Sequence, residues 1–409
     1  DCYRKVQLAE KEREMKLTEE TPFFFIYSVW IKNGEYREQV KRLVTDYDNY
    51  ISLKLAGDDA YLSEKMVGYP AELDEVYAES FEEQKKEWFS CVGDGIQECR
   101  NTWEHKKWNI TDFPEFELAI TIDRPELYYD FLQKDWTRFC HDYWKNNFLE
   151  HHTLSQKRVT RIYIGNQFCH NLFPKKKLLF QVLEKALENN LAVTLAFSYI
   201  RNHLLEEIDE LLQELEVWCQ SREKEAGKDQ EEIIVNDWAM PILLQGKPHL
   251  KPVLGVLLNK RRKDVRLPYK HGIGNHVDSL AENNLNCGFY QDYLRNTFDI
   301  QRFEFESCGY KVTIPDGHHS LHLPFFQTNT SQYCTLYAVC RYGDRGKQKL
   351  PENCPRYCNK KVFLYPKHLK MVGRYNSLFG YDEKILWDEK QLQDYLEQGI
   401  DRIVVNVSL

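Results

Sequence analysis

Several absences narrow the field. No apolar run in the sequence approaches the roughly 20 residues that a membrane-spanning helix needs, so a bilayer-crossing helix is not expected. No secretory signal opens the sequence, and the simplest expected placement is cytoplasmic. Neither a Gly-rich dinucleotide fingerprint nor a Walker loop follows any apparent strand, which weakens the case for a nucleotide-binding open sheet. A Gly-x-Ser-x-Gly elbow and a His-Glu-x-x-His helix are both missing, so serine hydrolysis and zinc proteolysis lack the residues to carry them. There is no Cys-x3-Cys-x2-Cys run of the kind that leaves an iron open for radical chemistry. Charged residues make up 29% of the chain, yet the net charge is only −8. That balance argues against a dedicated nucleic-acid binder, although a local basic patch can sit within it.

What remains is substantial. With 409 residues, 42% of them hydrophobic and 14% aromatic, the chain has the material for one barrel plus an extra module. Its 12 cysteines are too sparse for a disulfide scaffold. In a reducing compartment, clustered cysteines point to metal or redox chemistry rather than bridges. Dispersed ones, such as Cys140 and Cys219, are expected to be core thiols.

Residues 1–20 are charged throughout and read as a solvated helix or loose leader. Residues 21–150 read as an N-terminal α+β module of unknown role, with strands in "PFFFIYSVWI" and "FELAITID", each followed by a helix. Between them lies an aromatic, acidic stretch holding Cys91 and Cys99, and "FLEHHTLSQKR" marks the junction. From residue 158 to 409 short β-branched runs ("VTRIYIGN", "LAVTLAFSYI", "EEIIVND", "KPVLGVLLN", "IQRFEFES", "IDRIVVNV") alternate with helical patterns. Such alternation predicts parallel strands joined by helical crossovers. So many units in this length favour an α/β fold of the TIM-like (β/α) barrel type, irregular in places.

A barrel places its chemistry on the loops at the carboxyl ends of its strands. Cys169 follows "IYIG" at such a position. The stretch Thr328 to Cys358 carries Cys334, Cys340, Cys354 and Cys358 and can reach the same mouth. One early cysteine and three late ones make a four-thiolate set. The pair Cys354-Pro-Arg-Tyr-Cys358 can converge on one metal or cluster when the loop turns, and Pro355 favours a turn. Structural zinc is the rival reading, although zinc knuckles come as two close pairs and Cys334 and Cys340 are looser. Unrelated buried thiols are the third reading.

The order Gly165-x-x-x-Cys169, then "VNDW" from Val235, then Ser331-x-x-Cys334 and Cys354-x3-Cys358 resembles the collagenase-like peptidases of unknown catalytic type, family thirty-two of that class. It is most similar to the branch that includes the anaerobic ubiquinone-biosynthesis accessory proteins and RNA hydroxylation factors. The resemblance covers Val159 to the end and is thin outside these motifs. It implies a [4Fe–4S] cluster on Cys169, Cys334, Cys354 and Cys358, and oxygen-independent hydroxylation of an organic substrate, with prephenate the oxygen source for some members. The gap from Cys334 to Cys354 is longer than the family pattern, which makes Cys340 the alternate to Cys334. The N-terminal module has no counterpart in the family.

Other strand ends supply further candidates. Asn236 and Asp237 can orient a substrate or handle a proton as catalytic residues, or cap the helix in "WAMPILL". "GHHSLHLPFF" offers His318, His319 and His322, of which His319 is taken as a substrate contact; packing or surface roles are the alternative. In "NKRRKDVR" (Asn259 to Arg266), Arg266 is the expected anion grip because guanidinium binds carboxylate or phosphate through two hydrogen bonds. The plainer reading is a solvated basic loop. Three functions follow: a redox enzyme with a cluster at the barrel mouth, a peptide- or RNA-binding accessory protein whose aromatic N-terminal module stacks on its partner, and a peptidase, which lacks catalytic residues. A protein partner is also expected from the resemblance, since members of that branch act as heteromers, and a homodimer is the alternative.

Overall fold

The computed structural model describes residues 113–226, 230–265, 281–344 and 370–407 without interruption. It also describes 346–364 apart from 348 and 352, and short segments among the first ninety residues. Arg266, Cys91, Cys99 and most of the expected N-terminal module lie outside the described residues.

Eight strands run parallel in one sheet that curls into a barrel-like ring. They are β1 (Glu117–Ile122), β2 (Arg161–Gly165), β3 (Ala192–Ala196), β4 (Glu231–Val235), β5 (Leu250–Leu254), β6 (Glu304–Glu306), β7 (His319–Leu323) and, after an insertion carrying β8 to β11, β12 (Ile400–Val405). The hydrogen-bonded order is β5-β4-β3-β2-β1-β12-β7-β6. Between β5 and β6 the contact narrows to one parallel bridge, Leu254 to Phe303, where the Leu254 N–H donates to the Arg302 carbonyl at 3.0 Å.

Each strand is short and buried on both faces, which is why its sequence is a near-continuous apolar run rather than a clean alternation. Alternate side chains still divide. Ala119, Tyr163, Ala196, Ile234, Val253 and Val404 pack together inside the ring. Leu118, Ile120, Ile162, Ile164, Ile403 and Val405 belong to the large outer core under the helices. Those helices are α1 (Pro125–Gln133), α2 (Trp136–Asn146), α3 (Lys176–Glu188), α4 (Leu205–Ala226), the short α5 (Ala239–Leu243), α6 (Gly288–Phe298) and, after the insertion that carries α7, α8 (Glu389–Glu397). The link from β6 to β7 contains no helix, a local irregularity of the ring. Among the described residues no helix is long and apolar enough to cross a membrane.

Two sequence expectations are corrected. "FELAITID" is not part of a separate N-terminal module. Its strand pairs with β2 and β12 and opens the ring, so the barrel-like unit begins near residue 117 rather than 158. A strand followed by a helix looks the same locally in either domain; only its neighbours decide. The charged leader also contains a strand, Met15–Glu20, paired antiparallel with Phe25–Val29.

The insertion between β7 and α8 holds β8 (Phe325–Thr330), α7 (Thr335–Tyr342), β9 (Phe363–Leu364), β10 (Met371–Arg374) and β11 (Ser377–Tyr381). Its antiparallel sheet runs β8-β11-β10-β9, with Glu72–Leu73 added at the β9 edge. This element leaves β7 at its carboxyl end and therefore stands over the mouth of the ring.

At the opposite end, the inward side chains are charged. Arg402 Nε donates to Glu117 at 2.6 Å, and its terminal nitrogens reach Glu232 at 2.7 and 3.0 Å. Arg161 donates to Glu117 at 2.9 Å and to Glu232 at 3.3 Å. Burial alone would raise the Glu232 carboxyl, but the two guanidinium charges outweigh it and hold the group down at about 2. Removing one partner of such a set strands the others. Arg402→Met is expected to lower unfolding stability by about 3–5 kcal/mol, measured by urea denaturation. Glu232 contributes stability above the ordinary carboxylate value of 4.5, and this is lost as pH falls from there toward about 2. Glu232→Gln should flatten that part of the stability-versus-pH curve.

Candidate functional site

The carboxyl end of β2 turns sharply at Gly165, where φ is +110° and an added Cβ would stand 2.6 Å from the Ala196 carbonyl oxygen. Only glycine fits there. The following loop is held by buried Asn166, whose Oδ1 accepts from the backbone of Phe168 and of Cys169, both at 2.9 Å. Cys169 is thereby fixed at the mouth. From the insertion, Cys334 caps α7: its sulfur accepts from the Tyr337 N–H at 3.3 Å and its thiol donates to the Tyr375 carbonyl at 3.0 Å. Cys358 lies in a short 3-10 turn and is buried, with its carbonyl accepting from Arg374 Nε at 3.0 Å. Arg356 Nε donates to the Asn171 carbonyl at 3.3 Å, tying the Cys354–Cys358 segment to the Cys169 loop.

Cys169, Cys334 and Cys358 each feel the charge of other thiols in this group. Burial is the main cause that raises Cys169, to about 11, and the charge of Cys354 adds to it. Cys358 is pushed up to about 12 by burial and then by Cys169 and Cys354. Cys334 is raised by burial, opposed by the Tyr337 N–H, and raised again by Cys169, Cys358 and Cys354. Every described cysteine is a free thiol. Among the described residues no three His, Cys, Asp or Glu side chains are arranged to hold a metal ion. The thiols are thus electrostatic neighbours rather than a closed ligand cage. Positive charge lies beside them: Arg201 draws the Cys169 thiol down and Arg374 the Cys358 thiol. Arg201 also donates to Tyr199 Oη at 3.3 Å and to the Gln332 carbonyl, while Tyr199 donates to the Ser331 carbonyl at 3.2 Å. The loop after β3 is stitched to the insertion by these contacts.

Beside the thiols opens a cleft into the ring. Tyr375 and Phe379 of the insertion and Phe168 of the β2 loop form an aromatic wall, with Phe168 edge-on to Phe379 at 4.9 Å. Tyr163 and His322 line its inner end, and Asp123, Gln167, Glu306 and Asn406 supply polar groups. The Tyr375 hydroxyl is buried without a hydrogen-bond partner among the described residues. His322 Nε2 lies 2.5 Å from Glu304 Oε2, and Tyr163 Oη donates to the same carboxylate at 3.1 Å. Glu306 is salt-bridged to buried Lys263 and accepts from the Gln327 N–H at 2.7 Å.

No protein-family model, curated protein or solved structure matches the chain.

Several expected site residues have other duties. Asp237 Oδ1 accepts from the N–H groups of Ala239 and Met240 at 2.9 and 3.0 Å, and Oδ2 accepts from Ile200 N–H. It caps α5 and pins the β3 loop, so both carboxylate oxygens are spent on backbone. Asn236 is buried, donating to the Phe197 carbonyl at 2.8 Å and accepting from the Leu257 N–H at 3.2 Å. Gly255 permits this, since a Cβ there would stand 2.1 Å from Asn236 Oδ1. The catalytic expectation for this pair gives way to a positioning role.

His319 is corrected too. It sits at the amino end of β7, its side chain stacked on Phe303 at 4.8 Å in the outer core, and burial lowers it to about 4. Side chains alternate along the strand, so Ser320 and His322 face the ring while His319 faces away. The basic segment before Arg266 is not simply solvated: Arg261 donates to Cys308 Sγ at 3.2 Å and to the Glu306 carbonyl, and burial pushes the Lys263 ammonium down. Tyr163, Glu304 and Glu306 carry no local signature in the sequence, because a polar side chain on the inner face of a strand reads the same as one on the outer face.

Asp237→Ala should cost about 1 kcal/mol through loss of the cap, measured by chemical denaturation, whereas Asp237→Asn should retain most of the stability.

Proposed function

We propose that this protein is an iron–sulfur redox enzyme that modifies an organic substrate at the mouth of a TIM-like barrel, in the manner of an oxygen-independent hydroxylase. The observation that supports this reading is the Arg356–Asn171 hydrogen bond, which ties the Cys354–Cys358 segment to the Cys169 loop, with Cys334 held beside them on Tyr375 and the cleft's aromatic wall alongside. Four cysteines are a complete donor set for a [4Fe–4S] cluster, which supplies one-electron transfer when bound.

The chain's own residues suit that occupant. Burial raises Cys169, Cys334 and Cys358, so ligation must displace their protons, and Arg201 and Arg374 offset the negative charge that results. The Tyr337 N–H on Cys334 Sγ is a hydrogen bond of the kind that tunes a cluster's potential. Phe168 and Tyr375 stand both next to the thiols and along the cleft, so a substrate held there lies close to the redox group while the aromatic rings exclude water. Cys334 is taken as the third ligand because Cys169, Cys358 and Cys354 all act on its thiol.

Protein purified without oxygen should be brown and contain about four irons and a similar amount of sulfide per chain. Single Ser replacements at Cys169, Cys334, Cys354 or Cys358 should lower the iron content, while Cys340→Ser should leave it intact. A colourless protein carrying zinc in the same thiols would defeat the proposal.

A further inference from the structure

We infer that His322, oriented by Glu304, is the proton-transfer residue of the mouth cleft: a base that takes a proton from a bound substrate and returns it to the product. The inference rests on the cleft being the substrate site, and not on which metal or cluster the thiols hold.

His322 lies on β7 and lines the inner end of the cleft, although its side chain is only 3% exposed. Its Nε2 is 2.5 Å from Glu304 Oε2. Burial alone would raise the Glu304 carboxyl, but the hydrogen bond to His322, with the Arg402 charge behind, holds it below its ordinary value. Glu304 therefore stays ionised and accepts the Nε2 proton. That fixes the tautomer with the lone pair on Nδ1, the arrangement that makes a histidine a general base. The surroundings hold both partners in place. Tyr163 donates to Glu304 and meets the His322 ring edge to face at 5.4 Å. Arg402 reaches Tyr163 Oη at 3.2 Å and Ser320 Oγ at 3.5 Å. The charged groups facing the imidazole are thus Glu304 beneath it, Arg402 and Glu232 deeper in the ring, and Asp123 and Glu306 with Lys263 along the cleft.

In the step, the substrate X–H bond breaks, its electron pair stays on X, and the proton forms the Nδ1–H bond of an imidazolium. The Glu304 carboxylate stabilises that cation without itself taking the proton. His322 is the group that contacts substrate. Glu304 and Tyr163 are positioning residues.

A base beside an aromatic wall can be assayed without knowing the natural substrate. The probe is 5-nitrobenzisoxazole, a planar ring whose carbon proton is removed as its N–O bond breaks, giving a coloured cyanophenolate. The full chain should catalyse this elimination faster than free imidazole at equal concentration, with a rate that rises with pH and levels off when the base is deprotonated. His322→Gln should lose roughly 100-fold and its pH dependence. Glu304→Gln should lower kcat while leaving KM for the probe near the wild-type value, since the imidazolium loses its counter-charge. His318→Gln, at the exposed far end of the ring, should change nothing. An elimination no faster than free imidazole, a wild-type rate in His322→Gln, or a wild-type kcat in Glu304→Gln would each overturn the inference. Iron measured on the same samples keeps the two proposals apart, because an iron-free protein that still eliminates defeats the cluster reading alone.

Discussion

The ring depends on how Arg402 and Arg161 are paired with Glu117 and Glu232. Eight parallel strands enclose a narrow interior, and every inward side chain must fill it without leaving a charge unpaired. Here one layer is ionic, and the next is the apolar set from Ala119 to Val404. The ionic layer joins strands from both ends of the described barrel: β1 and β2 near its start, β4 in the middle, β12 at its finish. Buried ion pairs do not guarantee stability, since desolvation offsets much of the attraction. They do specify register, because sliding any one strand by a single residue would turn its inward charge toward the outer core and break its pairing in the ring.

With the ring registered, the mouth follows. Gly165 and Asn166 fix the loop that carries Cys169, and the insertion leaves the carboxyl end of β7 at the same end of the ring. Contacts from Tyr199, Arg201 and Arg356 then bind loop and insertion together. The same insertion supplies Tyr375 and Phe379 to the cleft wall, so the thiols and the cleft share their supports. Proton chemistry and redox chemistry, as proposed, would lie on two sides of one aromatic partition.

Much of the architecture was legible as local pattern. The strands containing "IYIG", "VTLA", "IIV" and "IVV" appear where β-branched runs end at turn residues, and a long helix, Leu205–Ala226, follows "LAVTLAFSYI" as the alternation of strand and helix patterns requires. Asp237 reads as a cap from its place before "WAMPILL", and it caps. The first strand was assigned to the wrong unit because "ELAITI" and its helix carry no mark of the sheet they join. His319 was preferred to His322 for a related reason: alternation separates the two onto opposite faces but does not say which face is inside.

The sequence by itself determined the strand and helix alternation, the capping residues, and the supply of thiols without a disulfide pattern. These depend on neighbours within a few positions, where backbone preference and side-chain periodicity act. Only the tertiary structure decided that Asn171 and Arg356, 185 residues apart, are hydrogen-bonded, that four particular thiols are neighbours, and that a histidine and a glutamate on separate strands share a short hydrogen bond. Such contacts arise from ring closure, which fixes distances between residues that no local interaction connects.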